Sequence, residues 1–275
     1  MKFHKKTALA LSAIGLLAAS AASFAQPTLS YNTTNYGPQV NDPFGGFDWN
    51  SAGSAVTTGF VPDGITIFTT EYWADAVAVA RPNGSNFLSP LAAAGFNPSN
   101  GVLLGAEFTI NAIIQETAVL TATGADFTAV GGTWEIFYEP LANANLETGG
   151  GITDGVKILG GTIQSGFAGS FAPVGDGGSG DFTFRASVDF TNPAYIVPDL
   201  ARTTTVSTIQ FGTSTTNWTP PTGVPGDAGA SDPLPVTELI FQADANQSFS
   251  VVPVPATVLL IGLGMLGLSR RMARI

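Results

Sequence analysis

Phe182-Thr183-Phe184-Arg185-Ala186-Ser187-Val188-Asp189-Phe190 alternates apolar and polar residues without a break over nine positions. Successive side chains of a β-strand point to opposite faces, so a period of two gives one apolar and one polar face and identifies a half-buried strand. The pattern recurs on the N-terminal side. In the stretch 106–114, Phe108, Ile110 and Ile114 share one face, while Glu107, Thr109 and Asn111 share the other. In 133–139, a stripe of Trp134, Ile136 and Tyr138 opposes the charges of Glu135 and Glu139. Further strands are expected at 65–70, 156–164, 204–211 and 238–244.

Composition agrees with this reading. The 275 residues include 33 Gly and 18 Pro, and only 11% are charged. Gly and Pro interrupt helices and punctuate turns, so the class expected is all-β. Glycine clusters at 131–132, 149–151 and 175–180 are expected to separate strands, and 219–229 to form a long loop. One short helix is expected at 90–94, with Ser89 as its N-cap and Gly95 closing it. Many strands with one polar face each imply a single β-sandwich or jelly-roll domain over 26–251.

Charge is distributed unevenly. Lys2, Lys5 and Lys6 lie at the N-terminus and Arg270, Arg271 and Arg274 at the C-terminus, leaving Arg81, Lys157, Arg185 and Arg202 between them. All twenty acidic residues fall in that interval, so its four basic residues leave a net charge of −16. Such a surface repels phosphate backbones and attracts cations, so no nucleic-acid partner is expected. Cysteine is absent and the one histidine is His4, so the interval offers no disulfide, no Ser-His or Cys-His nucleophile and no His or Cys metal site.

Both termini read as addresses. A basic stretch, an apolar run from about Thr7 to Ala19 and the small-x-small sequence Ser23-Phe24-Ala25 predict a signal peptide over 1–25, cut by signal peptidase between Ala25 and Gln26. At the other end, Pro253 and Pro255 interrupt the domain's last strand. The apolar run Ala256 to Leu268 follows, and the basic cluster Arg270, Arg271 and Arg274 is expected to stay cytoplasmic. About 13 apolar residues rise only ~20 Å as a helix, short of a ~30 Å hydrocarbon core, so a temporary membrane stay fits better than a permanent anchor.

This order of short proline motif, apolar Gly-containing helix and arginine cluster over 252–275 resembles the PEP-CTERM sorting signal. The motif Val252-Pro253-Val254-Pro255-Ala256 has Val254 where the commonest form has Glu, and is closer to the variant with a Val-Pro-Leu-Pro-Ala core. The resemblance implies a Gram-negative bacterium, transient inner-membrane insertion, cutting by an exosortase-type membrane protease, and delivery to the cell surface or extracellular matrix. Phe47-Asp48-Trp49-Asn50, Gly132 to Tyr138 and Asp154 to Ile163 further resemble the flocculation-associated subgroup of that family. What this implies is a role in flocculation or biofilm cohesion in association with exopolysaccharide.

The chemistry left to the interval is that of carboxylates. Asp176-Gly177-Gly178-Ser179-Gly180-Asp181 is a candidate calcium loop, since calcium takes carboxylate and carbonyl oxygens. It is similar to a Gly-Gly-x-Gly-x-Asp repeat, but its Asp comes one residue early and the unit does not recur. The same residues also read as a solvated glycine turn. Trp49, Trp73 and Trp218 are candidate sugar platforms, and each also reads as a core-edge residue. Glu135 and Glu139 lie on one strand face but about 13 Å apart, too far for a glycosidase pair on their own. A non-enzymatic exported domain is therefore expected, with calcium as the one candidate ion. The rival expectations are a carboxylate-based polysaccharide-degrading enzyme and a structural subunit assembling through strand edges.

Overall fold

The computed structural model describes residues 27–31, 40–83, 85–88, 96–97, 102–103, 107–139, 142–174, 177–212, 218–235 and 239–249. The expected signal peptide and its Ala25–Gln26 cut, the 90–94 helix and the 252–275 tail lie outside these residues. No helix among the described residues is long and apolar enough to cross a membrane.

The chain is nearly all β, as the period-two pattern requires. Its strands are β1 (Thr28–Tyr31), β2 (Val40–Pro43), β3 (Gly46–Trp49), β4 (Gly53–Thr58), β5 (Phe68–Ala80), β6 (Asn86–Leu88), β7 (Phe96–Asn97) and β8 (Val102–Leu103). Then come β9 (Glu107–Thr121), β10 (Gly124–Glu139), β11 (Val156–Thr162), β12 (Ala168–Val174), β13 (Gly177–Ser187), β14 (Phe190–Thr191) and β15 (Ile196–Val197). The last are β16 (Thr204–Phe211), β17 (Gly223–Pro225), β18 (Ser231–Pro233) and β19 (Leu239–Phe249).

One large antiparallel sheet dominates. Pairing runs from β12 through β13, β16 and β19 to β3 and β4, which share one position, and on through β5 and β9 to β10. Strand β10 then pairs back to β12 through Ala125–Phe171 and its neighbours, so the path of hydrogen bonds closes. Farther along, the same edge of β10 pairs with β11, which carries β14.

The interior is aromatic. Trp134 of β10 meets Phe249 of β19 at 6.0 Å between ring centroids, and these strands are not neighbours in the sheet, so the contact crosses the core. Phe47 stacks on Trp49 at 4.9 Å and approaches Phe108 of β9 at 5.4 Å. Such pairs contribute beyond the area that they bury.

Two glycine clusters expected as turns lie inside strands. Gly131 and Gly132 follow a bulge in β10 at Val130, where the register with β9 shifts between Ala129 and Gly131. Gly132 takes φ +141°, and a Cβ there would overlap the Ile113 carbonyl oxygen, so the close approach of β9 and not a chain reversal requires glycine. Gly177 to Gly180 open β13 against β12, and a Cβ on Gly180 would overlap the Ser170 carbonyl oxygen. The expected loop over 219–229 holds β17 and a short 3-10 turn, Asp227–Gly229.

That region and the segment 142–155 cover the outer face of the sheet around Trp73. Trp73, Val56, Ile152 and Val224 form a second small core there, with Leu146 and Leu234 packed against it. The Trp73 indole N–H donates to the Leu146 carbonyl at 3.0 Å, and the Thr109 hydroxyl donates to the Ile152 carbonyl at 2.6 Å. The two bonds fix the covering segment to β5 and β9.

Candidate functional site

Beside this cover, the outer face becomes acidic. Period-two alternation turns Glu107 of β9 and Asp75 of β5 outward, because their neighbours Phe108, Ala74 and Ala76 are buried. The ladders then set the acids side by side. Glu107 lies directly opposite Glu139 of β10, and Asp75 lies opposite Thr109, two residues along β9 from Glu107. On β3, Asp48 pairs with Asn246, and Asp244 lies two residues farther along β19. Beyond β10, the exposed Asp154 faces Glu139 from the covering segment. Asp244, Asp48, Asp75, Glu107, Glu139 and Asp154 thus follow one another across five strand positions and the loop beyond.

The protonation of these groups reflects crowding. Burial pushes the Glu107 carboxyl up to about 7, against the Asn143 and Ala144 N–H groups that donate to it, and the charges of Glu139 and Asp75 add to the rise. Glu139 also rises to about 7, through desolvation first and then through Asp154. Burial raises Asp75, although the Asn50 amide donates to it at 2.9 Å. Asp244 is raised by burial and then by the charge of Asp48. A cation placed among such groups would favour their charged forms and displace protons.

Among the described residues no three acidic side chains close around one point as a chelating set. A cation set on this row would meet at most two of these described carboxylates at once. Calcium accepts six to eight oxygens and tolerates irregular geometry, so a partly supplied site leaves room for a second ligand.

The candidates from sequence fall in different places. Asp181 is exposed on β13 opposite Ser170 and Gln210, and Asp176 lies outside the described residues. Because the glycines between them are paired in a strand, the expected flexible loop does not span 177–181. Trp49 and Trp73 are 1% and 0% exposed, which corrects their reading as sugar platforms: both rings are enclosed by protein. Trp218 is half-buried, and its indole N–H donates to the Ser54 hydroxyl at 3.2 Å. Glu135 is ion-paired with Lys157, and Glu139 turns instead toward Glu107 and Asp154.

Sequence reasoning missed the pairing of Glu107 with Glu139. The signals were a two-residue turn at Ala122-Thr123 and the bulge at Val130 beside Gly131-Gly132, which together set the β9–β10 register. Fold and face together define an all-β protein with one crowded carboxylate surface. No family model matches the chain, nor does any curated protein or solved structure.

Proposed function

We propose that this protein is an exported, non-enzymatic component of the cell surface or extracellular matrix, which promotes cohesion of cells with exopolysaccharide through divalent cations. The observation that carries the reading is the acidic row from Asp244 to Asp154, in an interval of net charge −16. Calcium held by one or two of these carboxylates keeps open coordination positions, and a carboxylate-bearing polysaccharide or a second copy fills them. The half-buried Trp218, on the Ser54 hydroxyl, is the candidate for a stacking contact with a sugar ring. Export rests on the N-terminal 1–25 pattern, and release from the membrane on the 252–275 resemblance.

The test is cell aggregation, scored in a strain that carries the gene and in its deletion, each with calcium and with a chelator. The reading expects the gene to raise aggregation only when calcium is present. Equal aggregation in both strains, or a gene effect that survives chelation, would overturn it. Intact mass of the protein from the medium checks the processing separately: loss of the residues after about Val252 is expected.

A further inference from the structure

Away from the acidic row, the connection between β13 and β16 forms an open surface cleft of about 550 Å³ lined by Val188, Asp189, Asp199, Ala201 and Arg202. That volume lies within the range of small-molecule sites. We propose that this cleft binds a neutral sugar unit of a polysaccharide, with Arg202 donating to its oxygens and Asp189 and Asp199 accepting from its hydroxyls.

The groups in the cleft are set in place and still have capacity. The Ser187 and Thr162 hydroxyls donate to the two oxygens of Asp189, at 2.7 and 2.6 Å, which fixes the carboxylate. A carboxylate offers about four acceptor positions, so roughly two remain. Asp199 accepts the Ala201 N–H at 2.8 Å through one oxygen, which leaves the other. The Arg202 guanidinium has five donors and forms no ion pair among the described residues.

The backbone at Arg202 makes the same point. Its φ is +72°, a left-handed conformation that glycine adopts without cost and a long side chain does not. Its N–H donates to the Val188 carbonyl at 2.7 Å and the next N–H donates to Leu200 at 2.9 Å, so the turn is held in that form. An arginine kept where glycine fits best lines the cleft at a cost in strain.

The ligand class follows from the charge and from the mixture of donors and acceptors. Two carboxylates and one guanidinium leave the cleft at −1, so it disfavours a sugar acid and suits a neutral polyol. A sugar hydroxyl both donates and accepts, so adjacent hydroxyls can engage a carboxylate and the guanidinium together. This inference rests on the matrix reading and adds a contact to neutral sugar units alongside the carboxylate-bearing ones that the row would reach through cations, at a site that shares no residue with the row and needs no cation.

The experiment is calorimetric titration of the full chain in chelator, with neutral hexose tetramers (glucan, galactan and mannan types) and a uronate tetramer as probes. At least one neutral tetramer is expected to bind, and the uronate is expected to bind more weakly. Arg202→Gly should weaken that binding about tenfold, the scale of a charge-assisted hydrogen bond, and leave the melting temperature unchanged or raised, because glycine suits the turn. Asp189→Asn should also weaken it. Absence of binding by all neutral tetramers, preference for the uronate, or full affinity in Arg202→Gly would each overturn the proposal. Cation bridging fails only in the calcium experiments, so the two ideas can fall independently.

Discussion

Glu107 and Glu139 stand directly opposite each other on β9 and β10, and both carboxyls are pushed up to about 7. Like charges across a ladder destabilise a sheet, and here Asp75 and Asp154 crowd the same pair. Such an arrangement is at its most stable when a proton or a cation sits between the acids.

Replacing Glu139 with Gln removes one of the opposed charges and keeps the shape. At pH 8 in chelator, the variant should be more stable by up to about 1 kcal/mol, the scale of a cross-strand charge pair. Calcium should then raise its melting temperature less than it raises that of the natural chain. Thermal unfolding with and without calcium checks both statements.

Glu116 gives a pH dependence of separate origin. It is 4% exposed, the Thr70 hydroxyl donates to it at 2.8 Å, and burial pushes it up to about 7. A carboxyl raised in the folded state binds its proton more tightly there than in the unfolded chain. Its favourable contribution is full below the unfolded value near 4.5 and is lost as pH rises through about 7. Glu116→Gln should stabilise the protein at pH 8, by on the order of 3 kcal/mol, and flatten the decline between pH 5 and about 7. Denaturant midpoints across that range provide the measurement.

The covering segment depends on a small core. Ile152 is fully buried against Trp73, Val56 and Val224, so Ile152→Ala should cost about 2–5 kcal/mol. Trp73→Phe removes the donor to the Leu146 carbonyl and should cost about 1–3 kcal/mol. The two residues share one cluster, so the double variant should depart from the sum of the single ones, as a double-mutant cycle of unfolding free energies would show.

Much of the fold was legible because alternation is local. The stretch 204–211 is β16 from end to end, the expected strand at 133–139 lies within β10, and that at 106–114 lies within β9 from Glu107 on, residue 106 being outside the described residues. The stretch 182–190 is strand to Ser187 and resumes at Phe190 as β14. Alternation does not say which strands pair, so the return of β10 to β12 was not readable. Glycine was ambiguous for a physical reason: the same lack of a Cβ serves a reversal or a close backbone approach, and Gly132 and Gly180 proved to be the latter. Tryptophan was ambiguous as well, since Trp49 and Trp73 share the polar neighbourhoods of a surface aromatic but turn inward or lie under a distant loop. The acidic row is a product of register, set by a turn and a bulge many residues from Glu107 and Glu139.

The most direct test of the central claim is co-sedimentation of the full chain with an anionic polysaccharide such as alginate, across calcium concentrations. The natural chain should sediment with the polymer in millimolar calcium and be released by chelator. A variant carrying Glu107→Gln, Glu139→Gln and Asp244→Asn should need several times more calcium. Co-sedimentation that persists in chelator, or a triple variant with the natural calcium requirement, would contradict cation bridging through this face.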